Sequence, residues 1–174
     1  NFIAVILDTE GRILFCNNTL LEISGWTRPE ILGQSWFELF IPPEAKAQLK
    51  EEVFLDAIQS GEVKTHHINQ ILTKAGTRRL INWHNIIYRG TSGKVTGTAS
   101  LGLDITEQEK FRRELNTFFE MSLDMICIAD LETFQFLEIN PSFERVLGYS
   151  RQELLNQPFL EFVHPDDREA TIAV

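Results

Sequence analysis

Four histidines and two cysteines are the residues whose chemistry could reach beyond packing. His66 and His67 form an adjacent imidazole pair in a segment that reads as a β-strand. Neighbouring strand side chains point to opposite faces, so the pair cannot chelate one ion together, and metal binding is set aside. Cys16 and Cys127 stand far apart with no CxxC spacing. That argues against a zinc site or a disulfide scaffold and fits a reducing, cytoplasmic compartment. Cys127 falls in the apolar stretch Met125 to Ala129 and is expected as an inert core thiol. His164 precedes Pro165-Asp166-Asp167, which suits the start of a helix better than catalysis. No Ser-His-Asp grouping, phosphate-cradling glycine loop or metal-ligand cluster is visible, so the segment is not expected to be an enzyme.

Composition narrows the remaining options. The chain has 174 residues, 43% of them apolar, with 13 Phe and 3 Trp, enough for a packed core. A net charge of -9 argues against nucleic-acid binding. No apolar run approaches the ~18–20 residues of a membrane span, and the start lacks a signal-peptide pattern. No membrane contact is expected within the segment, and an anchor elsewhere in a parent protein is compatible with that.

The chain repeats itself. Gly25-Trp26-Thr27-Arg28-Pro29-Glu30-Ile31-Leu32-Gly33-Gln34 returns as Gly148-Tyr149-Ser150-Arg151-Gln152-Glu153-Leu154-Leu155-Asn156-Gln157, an offset of 123 from Gly25 to Gly148. Asn17 then falls near Asn140, and Phe40-Ile41-Pro42 on Val163-His164-Pro165. A solenoid unit spans only ~20–50 residues, so this is a duplicated domain. Val174 maps onto position 51 of the first copy. The second copy is therefore expected to be an N-terminal half, and the chain a fragment of a longer protein. A half copy lacks sheet partners, so it is expected to swap strands or to pack its apolar side into a dimer interface.

The elements follow from periodicity. Phe2 to Leu7 reads as a strand buried on both faces, with Arg12 to Cys16 as its hairpin partner. Asn17, and by the repeat Asn140, are expected as helix caps. Thr27-Arg28-Pro29-Glu30 and Ser150-Arg151-Gln152-Glu153 have the form of capping boxes. A short element covers Trp36 to Phe40, and a helix runs from Pro43 to about Ser60, burying Ala47, Leu49, Val53, Phe54, Ala57 and Ile58. Strands are expected over 63–73, 78–89 and 94–104. Thr106-Glu107-Gln108-Glu109 reads as another capping box, opening a helix to about Met121 with Phe111, Leu115 and Phe118 on one seam. The sum is an α+β fold, a five-stranded antiparallel sheet with helices on one face.

Asn17 with Gly25-Trp26, the run Lys74-Ala75-Gly76-Thr77-Arg78-Arg79-Leu80-Ile81-Asn82-Trp83, and the close Leu103-Asp104-Ile105-Thr106-Glu107 resemble the PAS domain family. In the second copy Asn140-Pro141-Ser142-Phe143, Gly148-Tyr149-Ser150 and His164-Pro165-Asp166-Asp167-Arg168 resemble it too. The resemblance implies a PAS domain over 1–105, a signalling helix over 106–122 and an incomplete second PAS copy over 123–174. It implies an interior cavity, with His67, Asn69 and Ile71, Ile81, Trp83 and Asn85, and Thr98, Ser100 and Gly102 on the inner faces of three strands.

Flavin photoreceptors of this superfamily carry a reactive Cys where Trp36 stands here, which argues against a covalent flavin. Heme-binding members place a His on the long helix, where this chain has Lys50, and an ammonium is a poor iron ligand. The cofactor stays open. Noncovalent flavin, stacked on Trp83 and held by Asn69 and Asn85, is the best specific candidate, and a cavity self-filled by Trp83 is the bland one. The resemblance further implies a sensory and dimerisation module that takes a small-molecule, redox or partner signal. The signal would pass through Asp104 and Thr106 into paired helices carrying Phe111, Leu115 and Phe118. The output would be a histidine kinase. The alternative is a protein-interaction module with an empty cavity, serving another output such as a cyclic-dinucleotide enzyme.

Overall fold

The computed structural model describes residues 2–172. Ala173 and Val174, the end of the expected second copy, lie outside the described residues. Strand β1 (Phe2–Asp8) buries Ile3, Val5 and Leu7 and leaves the residues between them more open. This is one-sided burial, where burial on both faces was expected. β2 (Ile13–Cys16) pairs with it across the turn at Gly11. Helices α1 (Asn18–Ser24), α2 (Arg28–Ile31), α3 (Trp36–Phe40), α4 (Pro43–Gln48) and α5 (Asp56–Ser60) follow. Strands β3 (His66–Leu72), β4 (Arg78–Arg89) and β5 (Val95–Asp104) close a five-stranded antiparallel sheet of order β2-β1-β5-β4-β3. The third strand is shorter than expected, and Val63 precedes it in a loop.

One face of the sheet is covered and the other is open. Ile3, Val5, Leu7, Ile71, Ile81 and Trp83 pack with Leu20, Ile31, Trp36, Phe37, Phe40 and Phe54 from the helical side. Ile68, Ile86, Leu101 and Leu103, of the opposite parity, are exposed. The expected long helix between Pro43 and Ser60 is not α-helical throughout. Leu49–Leu55, between α4 and α5, winds as a π-helix. This wider winding is frequent at functional sites. Phe54 is buried from this stretch, and Gly61 closes α5 in the left-handed region.

The chain divides into two compact units between Glu109 and Lys110. Helix α6 (Thr106–Met121) starts in the first and continues into the second. The second unit holds the hairpin β6 (Cys127–Asp130) and β7 (Gln135–Ile139), then α7 (Ser142–Leu147), α8 (Arg151–Leu155) and α9 (Arg168–Ile172). Its small core gathers Ile139, Phe143 and Leu154 with Phe136, Leu147, Leu155 and Phe162. Cys127, expected in a core, is exposed, because its two-stranded sheet has no further strand beside it among the described residues.

Two of the three expected capping boxes form, at Thr27 and Ser150. The Glu30 carboxylate accepts the Thr27 N–H at 2.9 Å, and the Glu153 carboxylate accepts the Ser150 N–H at 2.8 Å. Asn17 caps α1 as expected, accepting the Leu20 N–H at 3.2 Å. Asn140 is not a cap, because the cap position of α7 is Pro141. The fully buried Asn140 side chain accepts the Ile126 N–H and donates to the carbonyls of Asp124 and Phe119, as Asn17 accepts the Ala4 N–H and donates to the Phe2 carbonyl.

Candidate functional site

Antiparallel pairing arranges the inner face of the large sheet in transverse rows. Ile3 lies opposite Gly102, Gly102 opposite Trp83, and Trp83 opposite His67. The next row is Val5, Ser100 and Asn85. Directly opposed residues share a face, so the rows bring the indole, the imidazole and an amide to the helical side of the sheet.

Gly102 is required by Trp83. A Cβ at Gly102 would stand 2.6 Å from Trp83 Cζ3 and 2.6 Å from Ile81 Cγ2. The indole thus packs where Gly102 has no side chain. It meets Trp36 edge to face, with centroids 5.7 Å apart at 84°, and Trp36 stacks on Phe40 at 4.4 Å. These rings fill the centre of the shell as a column that spans sheet to α3.

Beside the column remains a cavity of about 90 Å³. Of the residues expected on its wall, His67, Asn69, Trp83, Asn85, Thr98 and Ser100 line it. Ile71 and Ile81 are fully buried in the core outside it, and Gly102 sits beneath Trp83. Strand parity selects a face, but it does not say how far along that face the column ends. The apolar wall comes from Val5, Leu7, Phe37, Ile41, Leu49, Val53, Phe54 and Val63. The helical apolar side had singled out Leu49, Val53 and Phe54, whereas nothing in a single strand or loop marks Leu7, Ile41 or Val63 as wall.

The polar wall has a distinct hydrogen-bonding state. Asn69 Nδ2 donates to the Gln70 carbonyl at 3.0 Å, and Asn85 Nδ2 donates to the Lys64 carbonyl at 3.2 Å. His67 Nε2 is buried without a partner. Burial, and secondarily the charge of Lys64, hold the His67 imidazole below its usual pKa. His66 points away from the cavity wall and meets His84 edge to face at 4.9 Å, so the two histidines are separated as expected. No group of three or more His, Cys, Asp or Glu is placed to hold a metal among the described residues.

A flavin does not fit this wall. Pockets for drug-sized ligands start at roughly 300 Å³. The space a three-ring system needs is taken by the Trp83–Trp36–Phe40 column.

A second constellation sits where β5 becomes α6. Asp104 Oδ1 accepts the Thr106 N–H at 2.9 Å and the Thr106 hydroxyl at 2.5 Å. That hydroxyl accepts the Leu80 N–H from β4 at 2.7 Å, and the Leu80 carbonyl accepts the Ile105 N–H at 2.9 Å. Arg79 Nη1 lies 3.7 Å from Asp104 Oδ2 and 3.9 Å from Glu107 Oε1. Thr106 was expected to cap the helix. It is instead the first helical residue, with its hydroxyl spent on the sheet. Phe111, Leu115 and Phe118 are 62%, 52% and 67% exposed on α6, and no residue of this helix is buried.

Known proteins resemble this chain in sequence and fold. A family model described as PAS domain matches residues 1–107, and one described as PAS fold matches residues 109–173. The uncharacterized protein y4lL of Sinorhizobium fredii (strain NBRC 101917 / NGR234) is 24% identical over 172 residues, 94% of this chain and 20% of that protein. The virulence sensor protein BvgS of Bordetella bronchiseptica (strain ATCC BAA-588 / NCTC 13252 / RB50) is 29% identical over 112 residues, 64% of this chain and 9% of that protein. The chain thus spans a fifth or less of the length of these relatives. Among solved structures, the PAS domain of the Cronobacter turicensis RpfR quorum-sensing receptor, in complex with C12:0, is 27% identical with a TM-score of 0.50. That likeness covers 61% of this chain and 95% of that one.

Proposed function

We propose, from the premise that this chain belongs to the PAS domain family, that residues 1–105 sense a small molecule held noncovalently and that 106–122 carry the response onward. Residues 123–174 are then part of a second PAS copy. One observation carries this reading. Strand β4 supplies Trp83 and Asn85 to the cavity wall, and three residues earlier Leu80 is bonded to the first residue of α6. A ligand that shifts β4 at Trp83 and Asn85 also acts on Leu80, near the start of the same strand. Such a ligand passes a signal only if it binds two arrangements of the junction with different affinity. The Cronobacter receptor domain, which holds C12:0, supports a ligand with an apolar body in this fold.

The module is sensory rather than catalytic in this reading. The exposed stripe of Phe111, Leu115 and Phe118 supports a homodimer formed through paired α6 helices. Similarity to 9% of a virulence sensor supports a place inside a much longer signalling protein, for which a histidine kinase is the proposed output and the cytoplasm the proposed location. The aromatic column favours one competing reading, a self-filled interaction module that takes no ligand.

Native mass spectrometry paired with amide hydrogen exchange tests the choice. The expected result is a releasable small molecule whose loss changes exchange at Leu80 and in the first turn of α6. A ligand that leaves both unchanged overturns the relay, and a chain that takes up no ligand at all favours the interaction module.

A further inference from the structure

The polar end of the cavity has hydrogen-bonding capacity to spare. Each wall amide spends one of its two N–H donors on a backbone carbonyl, which fixes its orientation. Neither Asn69 Oδ1 nor Asn85 Oδ1 accepts a hydrogen bond among the described residues. His67 Nε2 is buried and unpaired beside them. The hydroxyls of Thr98 and Ser100 can serve in either sense. The wall therefore offers carbonyl oxygens that lack a donor.

The surroundings add a charge preference. Val53 and Val63 border both the cavity and a polar surface hollow lined by Glu52, Asp56, Glu62 and Lys64. Three carboxylates against one ammonium repel an approaching anion. The remaining wall is apolar, and about 90 Å³ admits a slender body only.

We propose that the cavity selects a small uncharged molecule with an aliphatic body and a hydrogen-bond-donating head, a primary alcohol or amide, over the matching carboxylate. This rests on the reading of the cavity as a ligand site. A primary amide can donate to both the Asn69 and Asn85 oxygens and an alcohol to one of them, whereas a carboxylate has no proton for either and also meets the acidic hollow.

The test is titration of the full chain with hexan-1-ol, hexanoate and the acceptor-only isostere 1-methoxypentane, followed by NMR at low salt. Hexan-1-ol should bind about 10-fold more tightly than either competitor, a difference of about 1.4 kcal/mol, and should shift the Asn69 and Asn85 side-chain amides. The double variant E52Q/D56N, altered at two exposed positions, should raise hexanoate affinity several-fold and leave hexan-1-ol unchanged. Hexanoate or the ether binding as tightly as the alcohol overturns the selectivity while leaving the cavity a ligand site. Binding of none of the three overturns both.

Discussion

Leu80 on β4 is held to Thr106 on α6 from its N–H, at 2.7 Å, and to the preceding Ile105 from its carbonyl, at 2.9 Å. The helix start is therefore an extension of the sheet ladder. Bending β4 at this point moves the first turn of α6 with it.

Thr106→Ala removes the acceptor and strands the part-buried Leu80 N–H, a cost of about 1–3 kcal/mol. Thr106→Ser keeps the hydroxyl and should recover most of it. Chemical denaturation measures the loss, and faster exchange at the Leu80 amide locates it. Unchanged exchange at Leu80 in the alanine variant would show that the hydroxyl does not hold the strand.

Gly102→Ala drives a methyl into the Trp83 indole and Ile81. Overpacking of this kind costs about 1–3 kcal/mol. A lower melting temperature and a changed Trp fluorescence spectrum are expected together, because the displaced ring is one of the three Trp fluorophores and packs on a second, Trp36.

Glu30 links α2 to the hairpin turn after β3. The hydrogen bond from Lys74, then those from the Thr27 N–H and hydroxyl, lower its pKa from 4.5 to about 2. The unfolded chain thus binds this proton first as pH falls. The stabilisation is complete above pH 4.5 and is lost as pH falls towards 2. Acid titration of Glu30→Gln should lack this component of the stability profile.

His67 titrates at higher pH. Its folded-state pKa lies below the ordinary 6.5, with burial the main cause and Lys64 the second. Above pH 6.5 the imidazole is neutral in both states. Below it the unfolded chain takes up the proton before the folded one, so stability falls as pH drops from 6.5. His67→Gln should flatten this part of the curve, as measured by urea midpoints between neutral and mildly acidic pH.

The stripe on α6 yields a prediction about assembly. Leu115→Glu with Phe118→Glu should convert a dimer to a monomer in sedimentation velocity without loss of helix content, since both side chains are exposed within the chain. A wild-type chain that sediments as a monomer at high concentration would remove the proposed paired helices.

Strand parity in β3, β4 and β5 and the capping boxes at Thr27 and Ser150 were legible because each rests on local periodicity or on a fixed spacing such as Thr27 to Glu30. The limits of the cavity were not. They depend on Trp83 crossing to Trp36, a contact between residues far apart in the chain. The π-helical turn at Leu49–Leu55 was equally hidden, because its apolar positions also suit an α-helix. Thr106 was misread for a similar reason. Its spacing to Glu109 has the form of a cap, but the carboxylate of Asp104 and the amide of Leu80 claim the hydroxyl first.

The asparagine clamp works as a ruler for the duplication. Asn17 accepts the Ala4 N–H thirteen residues upstream, and Asn140 accepts the Ile126 N–H fourteen upstream, each returning its own N–H to the same residue's carbonyl at 3.0 Å. The Arg28-to-Cys16 and Arg151-to-Ile139 bonds, both twelve residues long, keep step beyond it. The copies therefore differ by one inserted residue, confined to the hairpin. There Phe134 adopts φ 58°, the one left-handed non-glycine among the described residues, whereas the slip in pairing between Ile128 and Ala129 has its counterpart between Ile6 and Leu7 in the first hairpin. Divergence has been absorbed where the ribbon turns, and the anchors on either side have kept their geometry.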